Sequence, residues 1–188
     1  MLRPKVDLSG RISTVQGRAE RLFSFPNPVN ELAARVVAFA VLLMCVAAVA
    51  FDEPWLLVPI AYGFWARVLT GPSLSPLVQL ATRVVAPRLG PPRPVPGPPK
   101  RFAQAMGTAF STVALVLWFG FGDHTATWAV LGLIIVAAAL ESLAGYCVGC
   151  KIFGLLMKAG VIPEKVCLEC ADLSRRHRDL VASPRATP

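Results

Sequence analysis

Four of the five cysteines in this 188-residue chain form two Cys-x-x-Cys motifs. The first motif is Cys147–Cys150, the second is Cys167–Cys170, and sixteen residues separate them. That separation is in the range of four-cysteine zinc sites, in which four thiolates form a closed structural centre. Alternatively, each motif can alternate between dithiol and disulfide, because paired thiols of lowered pKa exchange readily. The motifs therefore predict either redox-active cysteines or zinc ligands.

The neighbourhood of the motifs does not separate these two chemistries. Lys151 and Lys165 flank the motifs and favour thiolate in either case. We expect the first motif to lie within a continuing helix, which favours zinc, because it then gains nothing from a helix N-terminus. The second motif follows Pro163, which suits a helix start and favours thiol exchange. Static disulfides are not expected in a reducing cytoplasm. The choice between zinc binding and thiol exchange stays open.

The elements that must position these cysteines are membrane helices. Hydrophobic residues make up 55% of the chain and charged residues only 16%. A bilayer core needs about 20 apolar residues as helix, and long apolar runs of this kind suit a soluble bundle less well. The sequence predicts an all-α integral membrane protein with four transmembrane helices in two hairpins. The predicted spans are about 32–51, 54–69, 102–122 and 125–146.

The segments outside the spans divide the chain further. The loop 70–101 contains an amphipathic stretch at 75–89, which we expect to lie along the interface. It also contains a proline-dense stretch at 91–99, which we expect to be extended and solvated.

After the fourth span we expect the helix to continue to about Lys158, turn, and form a second short helix. This cytoplasmic helical hairpin would bring the two motifs together. The resulting divisions are a cytoplasmic segment 1–26, a transmembrane domain 27–158 and a cytoplasmic tail 159–188.

Charge placement predicts the orientation. All 19 Lys and Arg lie in the N-terminal segment, the central loop, the C-terminal segment or adjoining span ends. Positively charged loops stay cytoplasmic, so both termini should be cytoplasmic. The polar first 26 residues do not resemble a cleavable signal peptide. The net charge of +8 fits basic loops at a lipid bilayer, and we expect no nucleic-acid binding, since no alternating aromatic and basic residues occur.

Two charged residues fall inside predicted spans. Arg67 and Glu141 lie at matching depth, roughly 20 Å from the outer ends of their helices. Buried charges in membranes usually face the bundle interior and pair, so we predict an Arg67–Glu141 ion pair, or pairing of each with nearby polar groups. A structural clamp is favoured over an ion or proton path. The nearby polar residues are Asn27, Asn30, Glu31 and Arg35.

Four segments resemble a bacterial membrane family known as domain of unknown function 4395. They are Phe25–Glu31, Gly71–Pro76, Pro98–Gln104 and Gly145–Cys150. The resemblance implies a bacterial inner (cell) membrane location and association with thioredoxin-like and sulfurtransferase proteins, which favours thiol or sulfur chemistry. It carries no established activity, and the second Cys-x-x-Cys motif lies outside it.

Three functions remain in order of preference. The first is a membrane-bound thiol–disulfide or sulfur-handling protein that a cytoplasmic thioredoxin-like or sulfurtransferase protein meets on the basic inner face. The second is a scaffold subunit of a larger membrane complex, with zinc on the four cysteines. The third is a small transporter that uses Arg67 and Glu141. The sequence contains no pattern typical of a hydrolase or kinase, and it leaves the question of enzymatic activity, the substrate and the oligomeric state open.

Overall fold

The computed structural model describes residues 27–71, 74–163 and 166–167. The described part is helical apart from one short ribbon. Helices α1 and α2 are Glu31–Ala50 and Leu57–Thr70, and a 3-10 turn at Pro54–Leu56 precedes α2. Helix α3 is α-helical over Pro76–Leu80, π-helical over Ala81–Val85 and α-helical over Ala86–Leu89. Helix α4 is Gly97–Leu115 with a π-helical end at Val116–Phe121, α5 is His124–Ala144 and α6 is Val148–Lys158.

Three of these helices are long and apolar enough to cross a membrane: α1, α4 with its π-helical end, and α5. This confirms the prediction of an all-helical, membrane-type fold. Helix α2 occupies the second predicted span but has only 14 residues. With its 3-10 turn it reaches about 27 Å, close to the ~30 Å of a bilayer core.

The helices pack around a core of small and branched side chains. Helix α1 packs on α5, α2 packs on α4, and α4 also contacts α5. Gly107 of α4 faces the ring of Phe64 so closely that a Cβ would overlap it, which is the small-residue contact typical of membrane helices. Large apolar side chains such as Leu43, Val46 and Val49 are exposed on the outside of the bundle, where lipid would cover them.

The two short turns lie where the charge pattern predicts them. Asp52 adopts a left-handed conformation with φ 51° after α1. Gly122 does the same with φ 66° after α4, and Asp123 caps α5 by accepting a 2.9 Å hydrogen bond from the Ala126 N–H. Small or short polar residues tolerate this conformation best.

The proline-dense stretch is more ordered than predicted. Strand β1, Val29–Asn30, pairs antiparallel with strand β2, Pro94–Val95. The Asn27 side chain accepts a 2.9 Å hydrogen bond from the Gly97 N–H. The prediction of an extended, solvated stretch over 91–99 is therefore wrong at its end, because α4 begins at Gly97 rather than at Phe102. Pro98 and Pro99 fit the first helical turn, where a missing N–H is not needed.

The amphipathic stretch is helical as predicted. Helix α3 lies against α1, with Ala81 and Ala86 buried and Leu80 exposed. Its position relative to a membrane surface stays a prediction.

The prediction of one continuous helix from the fourth span to Lys158 is wrong. Helix α5 ends at Ala144, Gly145 takes a left-handed conformation with φ 68°, and α6 starts afresh at Val148. The second helix predicted for the cytoplasmic hairpin falls on residues outside the described part, apart from Val166 and Cys167. The N-terminal segment 1–26 also lies outside it.

Candidate functional site

The first Cys-x-x-Cys motif forms the beginning of helix α6. Cys147 is the N-cap residue, with an extended backbone, and its Sγ accepts a 3.4 Å hydrogen bond from the Cys150 N–H. The Cys150 thiol donates to the same sulfur at an Sγ–Sγ distance of 2.7 Å. Both cysteines are free thiols. The expectation that this motif lies inside a continuing helix is therefore wrong, and the argument for zinc that rested on it is lost.

The local sequence explains why a helix begins here. The Gly145 N–H donates to the Glu141 carbonyl at 3.2 Å, and the Tyr146 N–H donates to the Leu140 carbonyl at 2.9 Å. The Gly145 bond, which spans four residues and is closed by a glycine in the left-handed conformation, is the αL ending of a helix. Helix α5 therefore ends before the motif, and Cys147 caps the next helix.

Arg35 supports the same helix ending from helix α1. Its Nη2 donates to the carbonyls of Ser142 at 3.2 Å and Leu143 at 3.0 Å. These are among the last carbonyls of α5, which have no partner within the helix. A cation at this position also favours the negative end of the helix dipole. The guanidinium thus holds the residues that lead into the cysteine pair.

Helix α6 lies on the beginning of helix α4. A Cβ at Gly149 would lie 2.6 Å from the Cα and Cβ of Ala103, so the two backbones are in direct contact. The rings of Phe102 and Phe153 pack beside this contact with centroids 5.7 Å apart. The packing holds the cysteine pair next to the first turns of α4.

A buried ion pair lies beside the thiols. Lys100 Nζ contacts Glu141 Oε1 at 2.6 Å, and the two side chains are 10% and 15% exposed. The sequence prediction missed Lys100 because it placed this residue in the loop rather than in helix α4. The two prolines at 98–99 are the signal that could have found it, since proline is typical of a first helical turn.

The direct ion pair predicted between Arg67 and Glu141 is not formed in the described part of the chain. Glu141 pairs with Lys100, and Arg67 lies over the ring of Phe64, 4.4 Å from its centroid. Arg67 is 4% exposed, and its Nε and Nη2 are buried without a hydrogen-bond partner among the described residues. Arg67 and Glu141 nevertheless line the same cavity. The transporter hypothesis built on these two residues stays a prediction.

The two thiols of the motif are chemically unequal. The hydrogen bond donated by the Cys150 thiol lowers the pKa of Cys147, and Lys100 adds to this, whereas burial and Glu141 oppose it. The hydrogen bond that Cys150 donates raises its own pKa, and burial raises it further. A thiolate is the nucleophile in exchange. Cys147 is therefore the natural attacking sulfur, and Cys150 holds its proton.

Cys147 lies between two cavities. One is a cleft of about 350 Å³ that both cysteines line together with Lys100, Tyr146 and Lys151. The other, also about 350 Å³, extends between the membrane helices toward Arg67 and has mostly apolar walls. Cys147 itself is 8% exposed, so a reaction partner reaches it through one of these cavities.

Of the second motif, Cys167 lies in the described part of the chain. Cys167 is buried and is not a free thiol, and Cys170 lies outside the described part. Within the described ranges, no cluster of three or more His, Cys, Asp or Glu side chains is arranged to hold a metal ion. The four-cysteine zinc site includes Cys170 and therefore stays a prediction.

Comparison with known proteins gives one family. A family model described as "Domain of unknown function (DUF4395)" matches residues 29–158. The matched region contains the first motif, Arg67 and the Lys100–Glu141 pair, and it ends before the second motif. No curated protein and no solved structure matches the chain.

Proposed function

Because the chain belongs to the DUF4395 family of unknown function, we propose from its own geometry that it is a membrane-bound thiol–disulfide or sulfur-handling protein. One observation carries this proposal: Cys147 caps a helix, with the Cys150 Sγ 2.7 Å from its own sulfur. Thiols at helix N-termini have lowered pKa values and exchange readily. A disulfide needs an S–S distance of about 2.05 Å, so only a small movement separates the two sulfurs from a bond.

The exchange proceeds in two steps. The Cys147 thiolate attacks a disulfide of the partner protein, a mixed disulfide forms, and one partner sulfur leaves as a thiolate. Cys150 then gives up its proton to the partner thiolate released in the first step and attacks the Cys147 sulfur. The Cys147–Cys150 disulfide forms, and the second partner sulfur leaves. The chain is oxidised by two electrons, and the partner is reduced by two.

The proposed setting is the inner membrane of a bacterial cell, with the motif at the cytoplasmic face. Four spans in two hairpins, with α2 as the short second span, keep both termini cytoplasmic. The three long apolar helices and the absence of Lys and Arg from the turns at 52–53 and 122–124 support this arrangement. In the tail 159–188, Cys167 and Cys170 would act as a partner or resolving pair.

The proposed partner is a cytoplasmic protein of the thioredoxin-like or sulfurtransferase type. The cleft lined by the cysteine pair supports a protein partner, because it is open at the protein surface and the exposed Lys151 also lines it. An acidic or neutral partner surface would meet the basic inner face without repulsion.

The test is mixed-disulfide trapping with an oxidised, purified thioredoxin. Cys150→Ser should accumulate the mixed disulfide, because the resolving thiol is gone. Cys147→Ser should form none, since Cys150 holds its proton. Cys45→Ala, in the buried core of α1, is the matched control and should behave as the wild type. Equal trapping by both motif variants would disprove the proposal.

Zinc binding is the second candidate, supported by two adjacent free thiols that line an open cleft. Here the protein is a scaffold subunit with Cys147, Cys150, Cys167 and Cys170 as ligands. Chelator-free purification should then yield about one zinc per chain, since four thiolates form one closed site. Metal-free protein whose thiols still react in pairs would rule this candidate out.

A further inference from the structure

The cavity between the membrane helices contains an unsatisfied cation. Arg67 is 4% exposed, and within residues 27–71, 74–163 and 166–167 neither its Nε nor its Nη2 has a hydrogen-bond partner. Leaving a buried charge without such partners is costly, and charged residues at membrane depth usually mark a binding or transport site. The cation–π contact with Phe64 covers one face of the guanidinium and leaves these N–H groups free to donate.

A second polar group of the cavity is also unsatisfied. Gln104 lies on helix α4 and lines the same cavity as Arg67. Its buried Oε1 accepts no hydrogen bond from the part of the chain that the structure describes. The cavity therefore offers strong N–H donors and one free carbonyl acceptor within mostly apolar walls. A neighbouring cavity of about 270 Å³ shares Arg67 and Gln104, which lengthens the available space.

These features specify the chemistry of an occupant. It must be apolar enough to enter from the bilayer, and it must carry an oxygen that accepts from Arg67. A ring hydroxyl that donates to Gln104 would satisfy the remaining group. Cys147 lines the same cavity, so the occupant would meet the thiol proposed to undergo redox exchange.

We propose that this cavity binds a lipid-soluble quinone, which takes the electrons of the Cys147–Cys150 dithiol. The proposal rests on the thiol–disulfide function proposed above and identifies its second substrate. Arg67 orients one ring carbonyl, and Gln104 accepts from the hydroxyl that forms on reduction. Cys147 connects the cavity to the surface cleft, so protein partner and quinone approach the dithiol from different directions.

The reaction balances when the exchange described above runs in reverse: a partner dithiol reduces the Cys147–Cys150 disulfide and leaves as the partner disulfide, and the resulting Cys147–Cys150 dithiol then reduces the quinone. Two S–H bonds break and one S–S bond forms between Cys147 and Cys150. The two electrons and two protons pass to the quinone, whose two carbonyl oxygens become the hydroxyls of the quinol. Arg67 stabilises the negative charge that develops on the carbonyl oxygen as electrons arrive, because a fixed cation acts strongly in a dry site.

The test is binding of a short-chain ubiquinone to the full chain in detergent. The Cys147→Ser/Cys150→Ser double variant is the reference, because it cannot reduce the quinone. It should bind one quinone per chain saturably. Arg67→Gln in this background should lower the affinity about tenfold to a hundredfold, the loss expected for a hydrogen bond to a charged group. Arg83→Gln, on the exposed side of α3, is the matched control and should change nothing.

A second variant tests the cavity without removing the charge. Ala137 lines it from helix α5, and Ala137→Phe should fill the space and weaken binding. Affinities unchanged in both variants, or no saturable binding at all, would overturn the quinone site. An anionic phospholipid that binds through Arg67 in place of the quinone would also overturn it. Failure of the wild type to exchange with thioredoxin, in contrast, contradicts only the dithiol function, since binding is measured without thiols.

Discussion

Removal of the Lys100–Glu141 ion pair should change stability and thiol chemistry in separable ways. The pair is 2.6 Å long, with side chains 10% and 15% exposed. At an effective dielectric constant near 20, that distance corresponds to an attraction of about 6 kcal/mol, much of it offset by desolvation. Removing one partner leaves the other charge buried, which typically destabilises by about 3–5 kcal/mol.

We therefore expect Lys100→Gln and Glu141→Gln each to lower the free energy of unfolding in detergent by about 3–5 kcal/mol. The double variant should recover much of this loss, because no unpaired charge remains. Reversible unfolding in a denaturing detergent measures all three. Additive losses in the double variant would show that the two side chains do not stabilise each other.

The same variants should move the reactivity of Cys147 in opposite directions. Lys100 lowers the pKa of Cys147 and Glu141 raises it. Only the thiolate reacts, so a raised pKa moves alkylation to higher pH and a lowered pKa moves it to lower pH. Lys100→Gln should thus shift the pH profile of iodoacetamide labelling upward, and Glu141→Gln should shift it downward. Shifts in one direction for both variants would refute the proposed electrostatics of the site.

Three further substitutions test how the site is held. Gly149→Val should force α6 away from Ala103, lower the free energy of unfolding by about 1–3 kcal/mol and speed the labelling of Cys147. Gly154→Val is the control, because a Cβ at that position has no neighbour within 4 Å, and it should leave the labelling rate unchanged. Gly145→Ala should lower the melting temperature in detergent, because φ 68° is unfavourable for any residue with a Cβ; an unchanged melting temperature would contradict the left-handed helix ending. The Asn30 side chain caps α1 by accepting from the Leu32 N–H at 3.1 Å and also accepts from the Arg93 N–H at 3.2 Å, so Asn30→Ala should cost about 1 kcal/mol and quicken hydrogen exchange at these two amides.

Local patterns were sufficient for the all-helical, membrane-type character of the fold. The length of each apolar run predicts a membrane helix, because a helix must cover the hydrocarbon thickness to keep its backbone satisfied. The turns at 52–53 and 122–124 follow from short polar residues between such runs. The exception is α2, whose 14 helical residues are fewer than those of the three helices that could cross a membrane.

The chemistry of the cysteine site could be predicted from the sequence, but its position at a helix start could not. The spacing of Cys147 and Cys150 indicated thiol chemistry or metal binding, since three residues bring two side chains to one helix face. Whether the motif lies inside a helix or at its start depends on Gly145. The sequence around Gly145 is compatible with a helix that continues and with a helix that ends. The contacts of Arg35 with the last carbonyls of α5 join residues far apart in sequence, so local patterns do not reveal them.

The sequence by itself determined the membrane character of the chain, the approximate helices and the residues able to do chemistry. Only the tertiary structure decided that Glu141 pairs with Lys100, that Arg67 has buried N–H groups without partners among the described residues, and that Cys147 lines a cavity with both Arg67 and Glu141. The reason is geometric. Composition and periodicity act over a few neighbouring residues, whereas each residue turns a helix by about 100° and advances it by about 1.5 Å. A helix start displaced by a few residues therefore changes which charged groups meet across the bundle.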